Sequence, residues 1–131
     1  MRFLVAGVVA VGTALALPGC SPSVEPGTVL MAEGNSFSPS EVTVKAGENL
    51  EFRNESGAAH SVTAYDDGVP EGAEYFSSGG FPDEGAAREG VGVGLVKPGD
   101  TFELTLDEPG TYRYFCIPHE SQSMKGTITV E

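Results

Sequence analysis

Basic residues are scarce in this chain, in which 7 lysines and arginines stand against 19 aspartates and glutamates and give a formal net charge of -12. Proteins reach nucleic acids and anionic membranes through lysine and arginine, so this balance argues against both as binding partners. It fits either a cationic protein partner or a hydrated coat in a salt-loving host, which composition alone does not distinguish. The length of 131 residues corresponds to one domain with a modest core.

Long apolar runs are also lacking, with one exception at the N-terminus. Arg2 is followed by an uncharged run from Phe3 to Leu17, which at about 15 residues is short for a spanning helix of about 20. The run ends in Leu-Pro-Gly-Cys at Cys20, and this ending resembles a bacterial or archaeal lipoprotein cleavage site. We therefore expect residues 1–20 to be a lipoprotein-type export signal. An uncleaved membrane anchor and ordinary cleavage are the alternatives.

Cleavage at this point would make Cys20 the lipid attachment residue and would remove one positive charge, Arg2. Residues 21–27, rich in proline and glycine, would then form a flexible tether to a domain over 28–131. A lipidated Cys20 leaves Cys116 as the only thiol of the mature chain. The other interpretation is a disulfide between these two cysteines, which would tie the N-terminal tail to the motif described below.

Short segments of alternating apolar and polar residues indicate β-strands along most of the chain. Turn signals separate them, and no long amphipathic helix interrupts them. About seven strands at such spacing predict an all-β fold, an antiparallel Greek-key β-sandwich. The predicted strands are Thr28–Ala32, Val42–Val44, Leu50–Phe52, Ser61–Tyr65, Thr101–Leu106, Thr111–Cys116 and Gly126–Val130.

One long connection, residues 66–99, is rich in glycine and acidic residues and is longer than a compact domain usually leaves without structure. Asp66-Asp67-Gly68 opens it as a turn, and the segment from Pro82 to Gly90 predicts a helical turn, with proline and acids first and glycine last. Beyond it, Tyr112 lies two residues after Gly110, where it is either a tyrosine corner or an ordinary core aromatic.

Histidine and cysteine are few, yet they fall into one pattern. Cys116, His119 and Met124 follow the spacing Cys-x2-His-x4-Met, and the only other histidine is His60. One thiolate, two imidazoles and a weak thioether form the ligand set of a blue-copper site, and a thioether adds little for zinc. Taken singly, His60 could be a loop histidine, Met124 a core methionine and Cys116 a buried thiol.

Two segments carry a resemblance to a known family. Residues 112–119 (YRYFCIPH) and 124–130 (MKGTITV) are similar to the copper-binding hairpin of the plastocyanin, pseudoazurin and halocyanin branch of the cupredoxins, the type 1 blue copper family. The acidic run over residues 65–74 is most similar to halocyanins. A second match lies upstream. The segments that lead to the first histidine in this branch have counterparts here in the same order, namely Phe37–Pro39, Val42–Val44, Gly47, Leu50–Asn54 and His60.

The resemblance implies a cupredoxin-like sandwich that holds one type 1 copper per chain and transfers single electrons, and it implies no enzymatic activity. His60, Cys116 and His119 would bind copper in roughly one plane, with Met124 as a long axial ligand. With only two histidines, the chain cannot build the extra copper centres of multicopper oxidases or nitrite reductases. It also lacks the second loop cysteine of a dinuclear copper site.

The same resemblance assigns roles to the neighbours of these ligands. The backbone N–H of Ser61, a position often held by Asn in the family, would donate to the thiolate, whereas Pro118 has no N–H to donate. Phe115 stands where plant plastocyanins have an exposed tyrosine, which weakens the case for a second electron port. An apolar patch around the second histidine would dock redox partners, and it consists of Gly57, Ala59, Pro118 and His119.

The expected partners are redox proteins of a membrane electron-transport chain, met by a monomer that is lipid-anchored at the outer face of the cytoplasmic membrane, on its periplasmic or extracellular side. No nucleic-acid partner is expected. Residues 66–89 could be an acidic docking surface or a solvation feature. The alternative function is copper binding or delivery without redox turnover, and a third possibility is a structural cupredoxin that binds no metal.

Overall fold

The computed structural model describes residues 25–131. The expected export signal over 1–20, the lipid attachment residue Cys20 and most of the expected tether over 21–27 lie outside the described residues. Within the described range, no helix is long and apolar enough to cross a membrane.

Eight strands of the described range form two four-stranded sheets that pack face to face. The strands are β1 (Thr28–Ala32), β2 (Ser36–Ser38), β3 (Glu41–Val44), β4 (Asn49–Asn54), β5 (Thr63–Ala64), β6 (Thr101–Thr105), β7 (Gly110–Phe115) and β8 (Lys125–Val130). Their order is β2-β1-β4-β6 in one sheet and β3-β8-β7-β5 in the other. Alternate side chains turn into the space between the sheets, where they form one hydrophobic core.

The predicted β-sandwich is confirmed, but its sheets are mixed and not purely antiparallel. β1 runs parallel to β4, and β3 runs parallel to β8, whereas the other pairs are antiparallel. The chain crosses from the first sheet to the second between β2 and β3 and returns at β4, so β1 and β4 share a direction. Alternation in the sequence identifies the core-facing residues and carries no information on strand direction, which explains the difference.

The seven predicted strands are present, and two local differences have simple reasons. The strand expected over 61–65 is reduced to β5, because the backbone of His60 pairs with Val96 and the N–H of Ser61 points to a sulfur atom. The additional strand β2 has only three residues and buries only Phe37, which is too short a pattern to read as alternation.

The connection from 66 to 99 is ordered and closes one edge of the second sheet. It begins with a 3-10 turn over Asp66–Gly68 and contains one helix, α1 (Glu84–Glu89), as the sequence predicted. The Asp83 carboxylate caps this helix by accepting a hydrogen bond from Ala86 N at 2.8 Å. Beside β5, Ala64 N donates to Phe76 O (3.1 Å) and Ser78 N to Val62 O (2.7 Å), so the sheet edge is not left open.

Aromatic side chains fill the centre of the sandwich. The ring of Tyr114 meets Phe37 and Phe52 edge-to-face, with centroids 4.8 and 5.3 Å apart. Tyr112 is buried as well, and its hydroxyl donates to Glu108 O at 2.7 Å, which is the tyrosine corner that its position suggested.

Gly126 faces Tyr114 across the β7–β8 pair and has no room for a side chain, since a Cβ there would overlap the tyrosine ring. Gly126→Ala should therefore lower the free energy of unfolding by about 1–3 kcal/mol, because the confined ring or the strand must shift. Urea denaturation of the full chain measures this value. Gly92→Ala is the matched control, because a Cβ at Gly92 meets nothing within 4 Å, and it should change stability by no more than about 0.5 kcal/mol. Equal effects of the two substitutions would contradict the predicted overlap.

Candidate metal centre

The structure brings both histidines and Cys116 together at one end of the sandwich. One ligand atom from each of His60, Cys116 and His119 lies within 4.8 Å of the others. The two Nδ1 atoms are 3.1 Å apart, and Cys116 Sγ lies 3.7 Å from His60 Nδ1 and 3.4 Å from His119 Nδ1. His60 lies 56 positions before Cys116 and 59 before His119 in the sequence, yet the fold brings the three donor atoms to one point.

The loop between β7 and β8 supplies most of the cluster. Cys116 directly follows β7, and the chain then makes short 3-10 turns over Ile117–Gln122 with a kink at His119. Ser123, in a left-handed conformation (φ 62°), returns the chain to Met124 and β8. Cys116 N donates to Met124 O at 2.9 Å, so the backbone brings the fully buried Met124 beside the cysteine.

His60 arrives from the opposite direction, in the connection between β4 and β5. Its backbone pairs with Val96 in both directions, with N–O distances of 3.1 and 2.7 Å. The side chain is fully buried (0% exposed), whereas His119 is partly exposed. The cluster therefore has one closed side, at His60, and one side that reaches the surface, at His119.

The donor set fits a single soft or borderline metal ion. First-row metals bind nitrogen and sulfur at about 2.0–2.3 Å, so donors that share one ion are held about 3–4 Å apart. The three distances between the donor atoms, from 3.1 to 3.7 Å, lie in this range. A thiolate with two imidazoles and a nearby methionine is the combination found in blue-copper sites.

Ser61 joins the two segments that carry the donors. Its backbone N–H points to Cys116 Sγ at 3.4 Å, as the resemblance implied, and its hydroxyl oxygen accepts a hydrogen bond from Ile117 N at 2.8 Å. The same hydroxyl lies 3.1 Å from Thr63 Oγ1. A serine side chain thus links the two loops at the position where the family often has asparagine.

Burial disfavours charge on Cys116 and His60 before a metal arrives. It raises the pKa of the Cys116 thiol, and the hydrogen bond from Ser61 N only partly opposes this effect. It also lowers the pKa of His60, as does the neighbouring His119, against a smaller opposing effect of Glu33. A protonated thiol and a neutral imidazole are therefore the starting state, and a metal must displace the thiol proton.

Two sets of supporting contacts were not found from the sequence. Ser56 Oγ lies 2.7 Å from His60 Nε2, and Arg88 of α1 forms ion pairs at 2.8 Å with both Glu84 and Glu120. Ser56 and His60, like Arg88 and Glu84, are four residues apart, whereas Glu120 is 32 residues from Arg88, and no motif in the sequence marks any of these pairs. Only the tertiary fold reveals these pairings.

The residues expected to form a docking patch flank the two histidines. Gly57 and Pro118 are exposed, and Ala59 and His119 are partly exposed. Phe115, by contrast, is fully buried, with its ring stacked on Tyr65 at 4.2 Å and the Arg88 guanidinium 4.5 Å from its centre.

Comparison with known proteins agrees with this geometry. Residues 27–131 match the family described as "Copper binding proteins, plastocyanin/azurin family". The chain is 40% identical over 95 residues to plastocyanin from Scenedesmus fuscus, a match that covers 72% of this chain and 86% of that protein.

Solved structures give the same result for the fold. Oxidized plastocyanin from Dryopteris crassirhizoma superposes with a TM-score of 0.57 and 28% identity, covering 79% of this chain and 99% of that one. A Cu-containing nitrite reductase from Thermus scotoductus superposes with a TM-score of 0.59 and 27% identity over 89% of this chain, but over only 25% of that one. The chain belongs to the plastocyanin/azurin family of copper-binding proteins, and its cluster of His60, Cys116 and His119 beside Met124 matches a single type 1 copper.

Proposed function

We propose that this protein is a one-electron carrier in which His60, Cys116, His119 and Met124 bind one type 1 copper. The main support for this function is the preassembled donor set, in which three donor atoms lie 3.1–3.7 Å apart and two of the three side chains are buried. A site formed in advance by the fold needs little rearrangement when its charge changes. Small rearrangement is what fast electron transfer requires.

Copper, when bound, supplies a Cu(II)/Cu(I) couple that accepts and releases one electron. The chain's residues determine how readily it does so. The Ser61 N–H would stabilise the negative charge of the Cys116 thiolate, and Pro118 cannot add a second donor. The fully buried Met124 would offer a soft axial sulfur that favours Cu(I) and raises the potential.

Electrons would enter and leave through His119, the one proposed ligand with an imidazole that reaches the surface. The neighbouring Gly57, Ala59 and Pro118 are small or flat, so a partner could approach closely. Transient redox complexes bury little area, and a small apolar patch is sufficient for them. Phe115 is buried under Tyr65 and Arg88, which favours a single exit.

A carrier without enzymatic activity is the form of the family that this chain fits best. Both histidines of the sequence are used in the one cluster, so none remains for a second copper centre. The nitrite reductase that shares the fold is about four times as long as the aligned region, since only 25% of it is covered. The sequence relative reported above, from Scenedesmus fuscus, is a plastocyanin.

The proposed partners are redox proteins of a membrane electron-transport chain, met by a monomer. A net charge of -12 favours partners with a basic surface, and the acidic side chains over 66–89 are mostly exposed. Anchoring through a lipid on Cys20, after export to the outer face of the cytoplasmic membrane, would hold the domain near such partners. The halocyanin-like subgroup likewise stays a prediction.

Copper titration followed by visible absorption tests the ligand set. The protein should develop an intense band near about 600 nm, saturating at one Cu(II) per chain and bleaching on reduction, because a thiolate donates charge to Cu(II). Cys116→Ser should lose this band, since a serine hydroxyl cannot replace the thiolate. Cys20→Ser, which alters the other cysteine, should keep it. Retention of the band in Cys116→Ser would refute the assignment.

The axial role of Met124 predicts a shift in potential. Met124→Gln should retain copper but lower the reduction potential by about 60 mV or more, because an oxygen donor stabilises Cu(II), and 59 mV is a tenfold change for one electron. Met124→Leu is the control, since it removes the sulfur without adding a donor and should not lower the potential. Voltammetry of the three proteins gives the values. Unchanged potentials in both variants would mean that Met124 is not axial.

Electron self-exchange separates a carrier from a copper-delivery protein. In mixtures of the oxidised and reduced forms, the carrier should exchange rapidly, and added salt should speed the reaction by screening the repulsion between acidic molecules. Ala59→Glu places a charge in the proposed patch and should slow exchange. Thr43→Glu is the control, because it places the same charge on β3 at the other end of the sandwich. NMR line broadening measures the rates. Sluggish exchange in the unmodified protein would favour delivery.

A further inference from the structure

The side chain of Asn54 has only one possible orientation. Its amide group faces two backbone carbonyl oxygens, Ala58 O at 2.7 Å and Val96 O at 2.9 Å, which can only accept hydrogen bonds. It also faces the backbone N–H of Ser56 at 3.0 Å, which can only donate. The NH2 group must therefore point to the carbonyls, and Oδ1 must point to Ser56.

This orientation directs the single hydroxyl proton of Ser56. Its oxygen lies 2.8 Å from Asn54 Oδ1, 3.1 Å from Ala58 O and 3.2 Å from Ala58 N. Of the two acceptors, Asn54 Oδ1 is the nearer to Ser56 Oγ, at 2.8 Å against 3.1 Å for Ala58 O, so the hydroxyl proton goes to Asn54 Oδ1. Ala58 N–H then occupies one lone pair of Ser56 Oγ, and the other lone pair faces His60 Nε2 at 2.7 Å.

With its single proton directed to Asn54, Ser56 Oγ can only accept across the 2.7 Å contact with His60 Nε2, so Nε2 must be the donor. We propose that Asn54 and Ser56 form a relay that holds the ring proton of His60 on Nε2, so that Nδ1 presents a free lone pair to the metal. Ser56 and Asn54 are then positioning residues for His60. The value of this relay for metal binding rests on the proposed function, whereas its hydrogen bonds form without a metal.

The opposite tautomer would disturb the network at both ends. Nε2 would need a proton from Ser56, which would break the 2.8 Å bond to Asn54 Oδ1. A proton on Nδ1 would lie among the donor atoms, between Cys116 Sγ at 3.7 Å and His119 Nδ1 at 3.1 Å. Partners that fix the tautomer of a metal-binding histidine in this way commonly affect metal affinity by about 10–100-fold.

The tautomer can be measured directly by NMR on the full chain without metal. The chain has only two histidines, so a long-range proton–nitrogen correlation spectrum at about pH 8, above the ordinary histidine pKa, resolves both rings. We expect His60 to carry its proton on Nε2. In Ser56→Ala, the ratio of this tautomer to the other should fall by about two- to tenfold, the value of one hydrogen bond. A proton on Nδ1 in the unmodified protein would overturn the relay, whether or not any variant folds.

Two further variants separate positioning from general packing. Ser56→Thr keeps the hydroxyl and should retain the Nε2–H tautomer. Ser78→Ala is the matched control, because Ser78 is also buried and its hydroxyl accepts only from the backbone of Val62, at 3.0 Å. Ser78→Ala should leave the His60 tautomer unchanged. A ratio that falls equally in Ser56→Ala and Ser78→Ala would overturn the inference.

Copper affinity provides the second readout. Ser56→Ala should bind Cu(II) about tenfold or more weakly than the unmodified protein, and Ser56→Thr should restore the affinity. An affinity of Ser56→Ala within twofold of that of Ser78→Ala would contradict the relay. If the unmodified protein shows the Nε2–H tautomer but no blue band with copper, the proposed function fails while the relay stands.

Discussion

Two hydrogen bonds made by Ser61 hold together the two loops on which the metal centre depends. One runs from its N–H to Cys116 Sγ and the other from Ile117 N to its hydroxyl. They extend the backbone pairing of β5 with β7, in which Thr63 lies opposite Phe115, into the segments of His60 and Cys116. Burying a thiol and one imidazole beside a second, partly exposed imidazole costs desolvation, so the surrounding backbone must hold them in place. The two sheets supply that rigidity.

The long acidic connection contributes to the same end of the molecule in a different way. α1 carries Arg88, which pairs with Glu84 on its own helix and with Glu120, the residue after His119. Surface ion pairs add about 0–1 kcal/mol, so stability is not the main consequence. Arg88 instead fixes the position of α1, because its guanidinium also covers the Phe115 ring and so joins the helix to β7 and to the loop of Cys116 and His119. An insertion that resembles a solvated loop in sequence thus supports the metal centre.

The sequence predicted the sandwich, seven of its eight strands, α1 and the cluster of His60, Cys116 and His119. These predictions succeeded because alternation, turn residues and the Cys-x2-His-x4-Met spacing are local signals. Strand direction is not local, so the parallel pairs β1–β4 and β3–β8 were missed. The same reason applies to Asn54, whose carbonyl partner Val96 lies 42 residues away. Ser61 shows a third case, since its backbone role could be predicted, but its side-chain bond to Ile117 could not.

The two histidines have similar side chains but opposite surroundings, and this asymmetry gives the centre a direction. His60 is fully buried, with its backbone paired to Val96 and its ring held by Ser56. His119 is partly exposed and lies next to the exposed Pro118. A rigid ligand on the inner side keeps the donor geometry constant, while an accessible ligand on the outer side shortens the distance to a partner. If electron transfer is the function, the fold separates these two requirements between the two imidazoles. In that case the acidic surface would affect how the proposed partners approach, and the buried residues would determine the chemistry of the centre.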